Sequence, residues 1–129
     1  MTARHLRMAY RDIPTMTCRA GCSDCCGPVP WNDAELARVA ADIPIHAKEL
    51  NLRGGIRVLQ DQITGGCPFV RRDGSANSCA VYDRRPFMCR LFGTAPADPG
   101  LRCPHGCAPA RALTPAAAAA LTQKYLRSP

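Results

Sequence analysis

Apolar residues recur at helical spacing, or between helix-start and helix-stop signals, in four stretches of this chain. Strand-like runs appear in one region between them. Asn32, with Glu35 three residues on, forms a capping-box signature. It predicts a helix through Ala34, Leu36, Val39 and Ala40 that ends before Pro44. A second helical segment is expected from about Ile45 to Leu52, stopping at Gly54-Gly55, so that the two would form a helical hairpin covering one side of a site. Beyond Ile56 the pattern is ambiguous. Cys67 to Arg71 and Ser78 to Tyr82 then read as two short strands around a turn holding Asp73-Gly74. Asp83 caps a short helix through Arg84, Phe87, Leu91 and Phe92, with Gly93 as its stop, and Cys89 falls on it. Thr114-Pro115 opens a last, Ala-rich helix over about 115–126, which lays Leu121, Tyr125 and Leu126 on the core. The expectation is one small, irregular, mostly helical α+β domain over residues 1–129, with short helices and one β-hairpin around a cysteine metal cluster spanning residues 18–107.

Composition explains why metal enters that expectation. The chain has 129 residues with ten Gly, twelve Pro, three Phe, three Tyr and one Trp, and much of its 47% apolar fraction is Ala and Cys. At roughly 25 cal/mol per Å² buried, so thin a set of large side chains gives a weak core. Nine cysteines in so short a chain mean a disulfide framework or metal ligation. From Met1 to Thr15 there is no apolar run of the kind a signal peptide or membrane span needs, and the run Ala116–Leu121 is too short to cross a bilayer. The expected setting is therefore the reducing cytoplasm, where thiols serve metals, with no membrane association. The odd count also argues against full disulfide pairing.

The formal net charge of +7 suggests an acidic partner. Two four-thiolate centres, each at about −2, would lower it to about +3. The arginines are scattered in sequence without aromatic interleaving, so nucleic acid is not the expected partner; a protein partner remains open.

The grouping of the cysteines is more informative than their number. Cys18, Cys22, Cys25 and Cys26 stand as C-x3-C-x2-C-C in a Gly- and Pro-rich segment, where close spacing lets thiolates converge without long-range folding. Asp24 inside the run reads as a turn cap. Adjacent side chains diverge on strands and sit about 100° apart on helices, so Cys25 and Cys26 do not serve one ion equally. Either one is left over, or they feed two centres, or they bridge metals in one cluster. Cys67, Cys79 and Cys89 are single and must join by folding. Cys103 and Cys107, in C-P-H-G-C, look like one zinc knuckle, with His105 between them as either a ligand or an exposed loop residue. His5 and His46 have no cysteine neighbours and read as surface residues. A tight run completed by remote cysteines, two of which precede proline (Cys67 and Cys103), favours an iron–sulfur cluster, [4Fe–4S] first, over zinc. Nine thiolates could also hold three zinc ions in one bridged cluster.

CRAGCSDCC at Cys18–Cys26, GGCPFV around Cys67 and CAVYDRRPFMCRLFG from Cys79 to Gly93 together resemble the CxxCxxCC, or YkgJ-like, family of zinc- or iron-chelating cysteine-cluster proteins. The resemblance implies chelation by Cys22, Cys25, Cys26, Cys67, Cys79 and Cys89, with Cys18 beside them although its gap is x3 where the family name has x2. Cys103 and Cys107 lie outside the three blocks. Arg85, in the same region, is either a donor to a sulfur or to backbone near Cys89, or part of an ordinary helix start.

Three function classes follow. The first is a metal or cluster protein for redox, sensing or metal handling. The second is a zinc-stapled interaction module for a protein or nucleic-acid partner. The third is enzymatic: an accessory to protein methylation, as related modules are in larger proteins, or a radical S-adenosylmethionine enzyme, whose cysteine spacing this chain shares. Those radical enzymes have an aromatic where this chain has Asp24 and a barrel longer than 129 residues. No Ser-His-Asp order or phosphate-binding glycine loop is present, and the sequence reads more readily as a binding protein than as an enzyme.

Overall fold

In the computed structural model, residues 3–16, 27–53, 55–71 and 79–127 are described. Among them are four α-helices and a three-stranded antiparallel sheet: α1 (Ala3–Arg11), β1 (Pro30–Trp31), α2 (Asp33–Ala37), β2 (Ala47–Arg53), β3 (Ile56–Asp61), α3 (Phe87–Leu91) and α4 (Pro115–Arg127). The chain packs as two units, Ala20–Pro86 and Met1–Arg19 with Phe87–Pro129. Each has its own small core.

The Ala20–Pro86 unit is built on the sheet, in strand order β1-β3-β2. The capping box is formed: Glu35 N–H donates to Asn32 Oδ1 at 2.8 Å, and Asn32 N–H donates to Glu35 Oε1 at 3.0 Å. Both side chains are buried, so the two bonds satisfy groups that water cannot reach. α2 is shorter than expected and passes into a 3-10 turn at Ala40–Asp42.

The second helix expected at Ile45–Leu52 is a strand, so there is no helical hairpin here. Ala47–Arg53 has good helix formers, but Leu50 and Leu52 alternate with polar residues. β3 supplies Ile56 and Val58, and Leu50 lies opposite Val58. Pairing with a β-branched neighbour outweighs the weak local helix preference. Gly55, at φ +83°, lies at the turn between β2 and β3. Trp31, Leu36, Val39, Leu59, Phe69 and Val81 form the core of this unit, with Trp31 and Phe69 tilted at 53° and their centroids 5.4 Å apart.

In the other unit, α1 lies in a stretch for which the sequence analysis predicts no element. Leu6, Ala9, Tyr10 and Ile13 nevertheless follow the i, i+3, i+4, i+7 rule, and Leu6 and Ile13 are buried. α4 begins as the sequence indicates: Thr114 Oγ1 accepts from Ala117 N–H at 3.1 Å, and Pro115 is its first residue. Tyr125 stacks on Phe87 with centroids 4.5 Å apart and planes at 7°. Leu121 packs beside this core, but Leu126 is exposed. Gly93, at φ +85°, ends the α3 segment as its sequence position suggested.

Candidate metal centre

Cys67 and Cys79 lie in the Ala20–Pro86 unit and are positioned by one antiparallel bridge between Val70 and Cys79. Ala80 N–H donates to Phe69 O at 2.9 Å across it, and Val70 N–H closes a turn on Cys67 O at 3.4 Å. The two strands expected here are thus reduced to a bridge among the described residues. The Asp73-Gly74 turn lies outside them.

The two cysteines share a local design. Each is followed two positions later by a core residue, Phe69 or Val81, each 2% exposed. The N–H of that residue donates to the cysteine sulfur. Anchoring the i+2 side chain in the core therefore aims a backbone dipole at the thiol. Both thiols pack against the core cluster, and burial pushes both up from the ordinary value of 9.0, against the pull of these N–H groups. Negative charge on Cys79 raises Cys67 further, so the two sulfurs feel each other. The charges of Arg85, Arg71 and Arg84 also reach Cys79 and favour its thiolate. Here Arg85 has a role the sequence placed elsewhere: its guanidinium lies over the Tyr82 ring at 3.9 Å, its Nε donates to Tyr82 O at 2.9 Å, and its charge faces Cys79. Arg84 is held by Asp42 and by Arg38 O.

The other described cysteines are in the second unit. Cys89 lies on α3, as expected, but Asp83 does not cap that helix: Asp83 and Arg84 form a separate 3-10 turn at Tyr82–Arg84, and α3 begins at Phe87. Cys103 opens a turn closed by Gly106 N–H on Cys103 O at 3.2 Å, with Gly106 at φ +76° and His105 exposed. Gly93 joins the pieces: its N–H donates to Leu101 O at 2.7 Å, and Met16 Sδ and Cys103 Cβ both lie within 4 Å of the point a Gly93 Cβ would occupy. Met16 also bridges Pro109, and Ala110 N–H donates to Thr15 O at 2.8 Å. The segment leading towards Cys18 is thereby tied to the segment following Cys107.

Cys67, Cys79, Cys89, Cys103 and Cys107 are half-buried and carry no disulfide. Among the described residues, no three His, Cys, Asp or Glu side chains converge on a metal position. Cys18, Cys22, Cys25, Cys26 and Asp24 lie outside the described residues. His5 is exposed, while His46 Nε2 meets the buried Asp61 Oδ2 at 3.2 Å and is more than a plain surface residue.

The model of the CxxCxxCC family, described as "Putative zinc- or iron-chelating domain", matches residues 17–108. This chain belongs to the CxxCxxCC family. All nine cysteines fall within the matched span, including Cys103 and Cys107, which the sequence blocks had left aside. Searches of curated proteins and of solved structures give no match. No described helix of this CxxCxxCC protein is long and apolar enough to cross a membrane. Sequence reasoning passed over Phe69 and Val81, although the shared order of cysteine, any residue, then a large apolar residue was a usable signal.

Proposed function

We propose that this protein binds metal through cysteine thiolates, as an iron–sulfur cluster, zinc, or both, and serves redox chemistry, sensing or metal handling in the cytoplasm. The observation that carries the reading is the Cys67–Cys79 pair: two half-buried thiols on one core, joined through the Val70–Cys79 bridge, each with a backbone N–H on sulfur, and Cys79 within reach of three arginine charges. That donor chemistry fits a soft or borderline metal, since N–H groups and nearby cations stabilise the thiolates a metal requires. A bound zinc ion would supply a structural staple, and a [4Fe–4S] cluster an electron carrier.

The ligand set is Cys18, Cys22, Cys25, Cys26, Cys67, Cys79, Cys89, Cys103 and Cys107. Of the described cysteines, Cys67 and Cys79 lie in one unit and Cys89, Cys103 and Cys107 in the other. This division supports two centres.

Purification without oxygen, followed by visible absorption and by iron, sulfide and zinc analysis, tests the reading. Brown protein with matched iron and sulfide supports the cluster form, and colourless protein with stoichiometric zinc supports the zinc form. Protein with neither metal overturns both. A zinc-stapled interaction module is the second reading, favoured by the two small separate cores.

A further inference from the structure

We infer that the exposed face of α1 docks on the phosphate backbone of a nucleic acid. In sequence the arginines look scattered; the helix gathers three of them. At 100° per residue, Arg4, Arg7 and Arg11 fall within an arc of about 60°, opposite the buried Leu6. All three are exposed, and α1 contains no acidic residue. Arg11 has only a loose contact with Asp12, 3.9 Å away with both side chains exposed, which competes weakly with a phosphate. Arg111 Nη2 donates to Asp12 O at 3.3 Å, so a further exposed guanidinium stands beside the end of the helix.

The chemistry of the patch selects among anionic partners. Of the 17 basic residues in the chain, all but Lys48 and Lys124 are arginine, whose planar fork pairs with phosphate oxygens two at a time. The stripe extends over roughly 10 Å of helix axis, a length that spans about three phosphates of one B-DNA strand. A lipid surface fits poorly, because the apolar side of α1 is packed on protein and Met8 is the large apolar side chain it exposes. An acidic protein partner would need an apolar centre to its interface, and the stripe has none beyond Met8. The inference is independent of the metal reading.

The test uses the full, metal-loaded chain and a fluorescently labelled duplex DNA of mixed sequence, titrated at several salt concentrations. Arg4→Gln/Arg7→Gln/Arg11→Gln is expected to weaken binding and to reduce the slope of log affinity against log salt by about 2 to 3. The corresponding triple Arg→Lys variant should keep that slope. A control that removes the same charge elsewhere, Lys48→Gln/Lys124→Gln/Arg127→Gln, should leave most of it. An equal loss in the control means binding by net charge alone and overturns the inference, as does no binding by the wild-type chain. Capture by polyglutamate or by phosphatidylserine vesicles through the same three arginines, without duplex binding, also overturns it. Metal content measured on the same samples reads the chelation proposal separately, and circular dichroism checks that the variants fold.

Discussion

At the scale of the residue, the chemistry of Cys67 and Cys79 is set by what lies two positions after each. Phe69 and Val81 are held by the core, so their N–H groups stay aimed at sulfur while the same core desolvates the thiols. Desolvation wins in the metal-free protein, and both groups hold their protons beyond the ordinary range. The sign of the pH effect follows. Well below pH 9.0 folded and unfolded chains are both protonated at these sites; as pH approaches and passes it the unfolded chain ionises first. Stability of the metal-free protein should therefore fall as pH rises from about 8 to 10, measured by urea denaturation. Cys67→Ser/Cys79→Ser should flatten that fall, and an unchanged slope would show that other groups cause it. Metal uptake displaces these protons, so affinity should weaken as pH is lowered.

At the scale of the element, local capping and long-range packing divide the work. α2 is only five residues long, too short to persist alone, and its capping box supplies the buried partners that its first turn lacks. α4 has thirteen residues, many of them alanine, which favour the helix but bury little. Its largest anchor is Tyr125 against Phe87, with Ala118 buried and Leu121 packed beside it. Tyr125→Ala should cost about 3–5 kcal/mol in urea denaturation, with loss of the near-ultraviolet signal of the stacked pair. A loss below about 1 kcal/mol would mean that α4 is held by other contacts. The same division explains the error over β2, where helix-forming residues gave way to a strand partner that lies beyond the turn.

At the scale of the whole molecule, the two cores are small and the described cysteines are divided, Cys67 and Cys79 in one unit and Cys89, Cys103 and Cys107 in the other. Two independent centres predict partial loss: Cys67→Ser/Cys79→Ser and Cys103→Ser/Cys107→Ser should each remove one centre's metal and leave the other's, as read by elemental analysis. Loss of all metal from either variant would indicate one bridged cluster. Short-range signals decided what the sequence alone could decide: the α+β class, the capping box at Asn32, the helix carrying Cys89, the start of α4 and the membership of the cysteine-cluster family. Each depends on residues within a few positions of one another or on an ordered set of short blocks. Tertiary structure decided that Ala47–Arg53 is a strand, that α1 gathers its arginines on one face, that Arg85 faces Cys79, and that Met16 and Cys103 both lie beside Gly93. Those outcomes depend on which residues the folded chain packs and pairs together, and the free energy that selects them is burial and pairing rather than local preference.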